Sequence, residues 1–118
     1  MQYWHNKITD LSLVNCDLKE LPPEIGELQN LTELDLDKNQ LSALPPEIGN
    51  LQNLGWLHLA KNQLNQFPKV LLDLNLRVKW SLFIFYQGIQ IKNNPFHTPP
   101  VEIVKQGRQA IIDYYTAL

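Results

Sequence analysis

The chain has 118 residues, 44% of them hydrophobic and 19% charged, with a formal net charge of -2; it can bury one core but offers no basic field to hold a phosphate backbone. Nucleic acid is therefore not an expected partner. A single cysteine, Cys16, cannot close an internal disulfide, Met1 to Lys7 lack the charged and apolar regions of a secretory leader, and no apolar run is long enough to span a membrane. These features predict a soluble, cytoplasmic protein.

From Ile8 onward the sequence repeats with a period of 23. Ile8, Leu31 and Leu54 take the first position; Leu11, Leu34 and Leu57 the fourth; Leu13, Leu36 and Leu59 the sixth; Cys16, Asn39 and Asn62 the ninth; Leu18, Leu41 and Leu64 the eleventh. Positions four and six are two apart, so on a strand both side chains enter a core while positions three, five and seven face out. One unit cannot bury its own leucines, but a parallel stack can. At the ninth position the chain leaves the strand, and a buried asparagine amide can both donate to and accept from the turning backbone. Asn39 and Asn62 fit that role, and Cys16 occupies the same slot in the first unit. Each unit then runs through Leu21-Pro-Pro-Glu-Ile-Gly26, Leu44-Pro-Pro-Glu-Ile-Gly49 or the looser Phe67-Pro-Lys-Val-Leu71. Paired prolines suit extended or short helical turns and oppose a second sheet, and Gly26 and Gly49 are expected to relax the chain afterwards.

These residues resemble the leucine-rich-repeat family, whose pattern is L-x-x-L-x-L-x-x-N/C-x-L. The resemblance implies an α/β solenoid: an arc with a parallel concave β-sheet, an irregular or short-helical convex side and a C-terminal capping helix, in a single domain over 1–118. The repeats are placed at 8–30, 31–53, 54–85 with an insert at 77–85, and 86–99, with the capping helix at about 100–118.

In the insert, Arg77-Val78-Lys79-Trp80 does not fit the register, which resumes at Tyr86, Ile89, Ile91 and Asn94. Its apolar residues predict a longer convex segment or an extra strand tucked into the stack. The competing expectation is hydrophobic docking through Trp80, Phe83 and Phe85, onto a partner or a second copy. Beyond Asn94, the residues Ile103, Val104, Gly107, Ala110, Ile111, Tyr114, Tyr115 and Leu118 fall at helical spacing. Thr98 before Pro99 is the start signal. Gly107, about 1 kcal/mol worse than alanine inside a helix, marks a break or a close contact. The segment Asn94 to Tyr115 is similar to the one that ends the arrays of intracellular Leu-Pro-type proteins, particularly Roco proteins, where a Ras-like GTPase domain follows. That likeness implies a regulatory, signalling or scaffolding setting, with the chain as the repeat part of a larger GTPase protein as one alternative. The chain has no G-x-x-x-x-G-K-[ST] loop of its own.

The outward positions define the expected binding face. Column three holds Asp10, Glu33, Trp56 and Gly88; column five Ser12, Asp35, His58 and Gln90; column seven Val14, Asp37, Ala60 and Lys92. An aromatic anchor beside carboxylates suits a protein partner of basic character. The candidate contact residues are therefore Trp56, His58, Glu33, Asp35, Asp37, Ser12, Asp10, Gln90 and Lys92. Lys38 and Lys61 offset part of the acidity. No catalytic constellation is found: His5, His58 and His97 are far apart in the register, and Ser12 and Ser42 lack a matching His and Asp. Three carboxylates near a histidine could hold a hard cation, but outward strand carboxylates are usually solvated, so no metal and no cofactor are expected. The chain is read as a monomeric, non-enzymatic protein-binding module, the alternative being a scaffold that self-associates through residues 78–85.

Overall fold

The computed structural model describes residues 7–81 and 86–118; Tyr3, Trp4 and His5 at one end, and Leu82 to Phe85 within the insert, lie outside the described residues. The docking expected of Phe83 and Phe85 therefore falls outside them too. Among the described residues, five short strands form one parallel sheet: β1 (Asp10–Ser12), β2 (Glu33–Asp35), β3 (Trp56–His58), β4 (Val78–Lys79) and β5 (Gly88–Gln90), in the spatial order β1-β2-β3-β5-β4. Asp10 lies opposite Glu33, Glu33 opposite Trp56 and Trp56 opposite Gly88, which is the register set by the repeat.

Leu34, Leu36, Leu57, Leu59, Ile89 and Ile91, the fourth- and sixth-position residues, are fully buried. Each such side chain contributes about 1.5–3 kcal/mol relative to exposure. The first unit is different: Ile8, Leu11, Leu13 and Leu18 are only partly buried, and Leu11, Leu13, Leu21, Ile25 and Leu28 line an apolar groove of about 310 Å³.

The asparagines tie the units together. Asn39 Oδ1 accepts from the backbone of Cys16 at 2.9 Å and Leu18 at 3.0 Å, while its Nδ2 donates to the carbonyls of Leu13 at 2.9 Å and Leu36 at 3.0 Å. Asn62 repeats the pattern one unit on, accepting from Leu41 N–H and donating to Leu36 and Leu59. Asn94 accepts from Leu64 N–H and donates to Leu59 and Ile91. Cys16, in the equivalent slot, is exposed. The residue before each of these, Asn15, Lys38, Lys61 and Asn93, has a positive φ of 55, 61, 59 and 63°. This left-handed turn reverses the chain off the strand. Asparagine tolerates it, whereas lysine is strained there.

Opposite the sheet, 3-10 helices Pro23–Glu27, Pro46–Asn50 and Lys69–Leu74 carry the chain back. Pro23 and Pro46 open the first two, where a missing N–H leaves nothing unpaired. The sequence argument for Gly26 is corrected: an added Cβ would lie 2.8 Å from Glu47 O and 2.9 Å from Glu47 Cβ, so glycine is needed for close approach of the neighbouring turn.

The insert supplies an extra strand. β4 pairs with the far side of β5, with Ile89 N–H donating to Arg77 O at 2.6 Å and Ile91 N–H to Lys79 O at 3.0 Å. Trp80 is half-buried against the core, 6.3 Å from the Phe96 ring and with Lys105 Nζ 5.4 Å from its centroid. Trp80 therefore packs partly inward. Tyr86, expected to fill a first-position core slot, is 74% exposed, because the chain at 86 is arriving from β4 and not from a regular return segment.

The helix expected over about 100–118 is two helices, α1 (Val101–Val104) and α2 (Arg108–Thr116), separated at Gly107, whose φ of 98° only glycine adopts readily. Thr98 does not cap α1; the N-cap position is Pro100, with no side-chain hydrogen bond. Val104 and Ile111 are buried, and Arg108 Nη2 donates to Leu72 O at 3.0 Å. Leu118, counted on the apolar stripe, is exposed.

Two substitutions test this account by thermal unfolding. Gly26→Ala should destabilise the fold by about 1–3 kcal/mol, since the nearest obstacles are backbone and Cβ atoms that cannot rotate away. Lys61→Gly should stabilise it by about 0.5–1 kcal/mol, because relief of left-handed strain outweighs the added chain entropy.

Candidate partner-binding face

The open face of the sheet gathers most of the expected contact residues on β1, β2 and β3. The in-register pairs Glu33/Trp56 and Asp35/His58 place an indole beside one carboxylate and an imidazole beside another. Glu33, Asp35, Asp37, Trp56 and His58 are all half-buried. Asp10 and Ser12 are exposed on β1, and with Leu11, Glu33 and Asp35 they line a depression of about 250 Å³. Asp10 Oδ1 accepts from Thr32 Oγ1 at 3.2 Å.

The acidic side chains are positioned by backbone. Asp35 Oδ1 accepts from Asp37 N–H at 3.1 Å, and Asp37 Oδ1 from Ala60 N–H at 2.7 Å. Ala60, expected to face out in column seven, is instead buried, with its N–H taken up by this bond to Asp37. His58 Nε2 lies 3.3 Å from Glu33 Oε2, yet it has no hydrogen-bond partner; the contact is close but misaligned. Asp35, Asp37 and His58 each bring one donor atom within 4.8 Å of the others.

Burial pushes the Asp37 carboxyl above its ordinary value and neighbouring Asp35 adds to the rise, against the Ala60 N–H, His58 and Lys38, which favour the anion. A carboxyl whose folded pKa is raised binds its proton more tightly in the folded chain. Asp37 alone thus makes the fold less stable as pH climbs from the ordinary aspartate range through the raised folded value.

Gln90 is corrected as a contact residue. It is fully buried, with Oε1 accepting from Lys92 N–H, because β4 adds a strand beyond it and covers what would have been an open row. Lys92 is half-buried at the end of column seven. The backbone anchoring of Asp35 and Asp37 was missed in the sequence.

A parallel sheet built on a 23-residue repeat, with a buried asparagine at the turn of every unit but the first, defines an α/β repeat protein. A family model described as leucine rich repeat matches residues 6–64, half of the chain, and the chain belongs to the leucine-rich-repeat family. Domains of this family generally mediate protein–protein interaction and are typically not enzymes. No curated protein matches the sequence. Among the described residues, no helix is long and apolar enough to cross a membrane.

Asp37 separates charge from hydrogen bonding. Asp37→Ala should cost about 1–3 kcal/mol by stranding the Ala60 N–H, whereas Asp37→Asn keeps an acceptor, should retain near-wild-type stability at neutral pH and should remove Asp37's share of the loss on raising pH. Denaturant unfolding of both variants across pH 3–7 measures the difference.

Proposed function

We propose that the chain is a protein-binding module, an arc-shaped solenoid that captures a partner of basic character on its concave sheet face. In this reading the broken helical tail closes one end of the stack, and the protein works in the cytoplasm in a signalling or scaffolding setting. The single observation that carries the reading is the juxtaposition of half-buried Trp56 and His58 with Glu33 and Asp35 on adjacent strands of the open face. An indole can stack on a guanidinium while flanking carboxylates accept its N–H groups, and such aromatic anchors supply most of the energy of an interface. The strands of a repeat stack present a broad, preformed surface suited to an extended partner.

The test uses arginine-rich peptides and the full chain, followed by the NMR shifts of the Trp56 indole and His58 imidazole. Trp56→Ala combined with Asp35→Lys should weaken binding by at least about tenfold while leaving the unfolding temperature within a few degrees. Wild-type affinity should also fall as salt is raised. Unchanged affinity in the double variant would sink the concave-face reading.

A further inference from the structure

We propose that the open face is divided into an acidic and a basic half, and that the protein segment it captures carries an acidic residue for Arg77 and Lys79 as well as a basic residue for Glu33 and Asp35. The inference rests on the concave-face reading and deepens it, by fixing the composition of the partner segment and its placement across the strands.

The division follows from the register. In column three Glu33 is followed by Trp56 and Gly88, and in column five Asp35 is followed by His58 and Gln90. The insert extends both rows, because Val78 pairs with Ile89 and Lys79 with Gln90. Val78 is buried, so its neighbours Arg77 and Lys79 belong to the opposite, open side of the sheet. Arg77 is exposed. A Cβ added to Gly88 would lie 3.8 Å from both Cδ and Cε of Lys79, which puts the lysine stem over the outward side of β5. Each row thus runs from a carboxylate on β2, through an aromatic ring on β3, to a cation level with β4.

The two halves do not cancel. Three strand spacings of about 4.8 Å separate β2 from β4, about 14 Å in all, beyond the screening length of about 8 Å at physiological salt. Among the described residues the one ion pair is His58 with Glu33, and Arg77 and Lys79 have no acidic partner.

The basic half carries a second sign of an acidic ligand. Gln90 Nε2, in register with Lys79, is a buried amide donor without an acceptor. Buried donors are almost always paired, and an ionised carboxylate, which only accepts, supplies what this one lacks. Gln90 is covered in the free chain, so it gains that acceptor only when a bound segment displaces the flexible lysine beside it. A wholly basic segment would be attracted at β2 and repelled at β4, which selects against it. To span about 14 Å, an extended chain rising about 3.3 Å per residue needs its basic and acidic residues about four apart.

The test titrates short Gly/Ser peptides into the full chain and follows the Trp56 indole by NMR. The peptides carry one arginine and one glutamate four residues apart, in either order, and each is paired with a version that has glutamine in place of glutamate. In one order the glutamate peptide should bind about three- to fivefold tighter than its glutamine version. That preference should vanish in Arg77→Gln/Lys79→Gln and invert in Arg77→Glu/Lys79→Glu, while affinity for the glutamine peptide should not fall in either variant, which reads the fold. Equal affinity for glutamate and glutamine in both orders overturns the inference, as does a preference that survives Arg77→Gln/Lys79→Gln or fails to invert in Arg77→Glu/Lys79→Glu. Equal affinities that still drop in Trp56→Ala/Asp35→Lys leave the concave-face reading standing without this one; no binding of any of the peptides removes both.

Discussion

Each buried asparagine at the ninth position of a repeat holds together two units that would otherwise meet only through leucines. Where the chain turns off a strand it leaves carbonyls and N–H groups inside an apolar stack, and an unpaired group there costs about 1–3 kcal/mol. Asn39 meets that need on both sides, donating to Leu13 and Leu36 and accepting from Cys16 and Leu18. Leucine could fill the same volume but would strand all of them. The geometry has a companion constraint, the left-handed residue just before each asparagine, which aims the amide inward. Register, strand spacing and the direction of every outward side chain follow from this turn.

The leucine and asparagine slots and the register of β1, β2 and β3, with their outward positions three and five, were legible from the 23-residue period, because each is a local property of one unit repeated. What could not be read depends on contacts between units. The close approach of Gly26 to Glu47 involves the next repeat, and nothing adjacent to Gly26 in sequence announces it. The burial of Gln90 depends on β4 crossing to the far side of β5, a topological choice that hydrophobic residues in an insert do not specify. Tyr86 looked like a core residue by counting alone, but it is exposed. At Gly107 the competing signals were both visible: an apolar stripe argued for one helix and glycine argued for a break, and the positive φ shows that the break prevailed.

β4 has a second consequence. Without it, β5 would be an edge strand with a row of free carbonyl and N–H groups, the feature that invites unwanted pairing. A two-residue strand moves that edge outward, and Trp80 next to it packs toward Phe96. The hydrophobicity of this part of the insert is therefore explained by the needs of the sheet itself. An exposed docking role is not required for it.

The candidate site sits where the stack is most completely packed. β2 and β3 are flanked by strands on both sides, and the leucines beneath them are fully buried, whereas Ile8, Leu11, Leu13 and Leu18 of the first unit are only partly buried. In a quasi-one-dimensional array each unit is held by its neighbours, so strands flanked on both sides open least often. Binding groups on interior strands are already ordered, and a partner meeting them forfeits less of its binding energy to fixing the surface. The backbone bonds that hold Asp35 and Asp37 extend this argument from strand to side chain: two carboxylates that would repel and rotate apart on a free surface are pinned by N–H groups of the same sheet. The cost appears at Asp37, whose carboxyl is pushed up by burial and by Asp35. A positive charge beside it would relieve that stress because it favours the ionised form. The packing that rigidifies the face is therefore also what raises the Asp37 carboxyl.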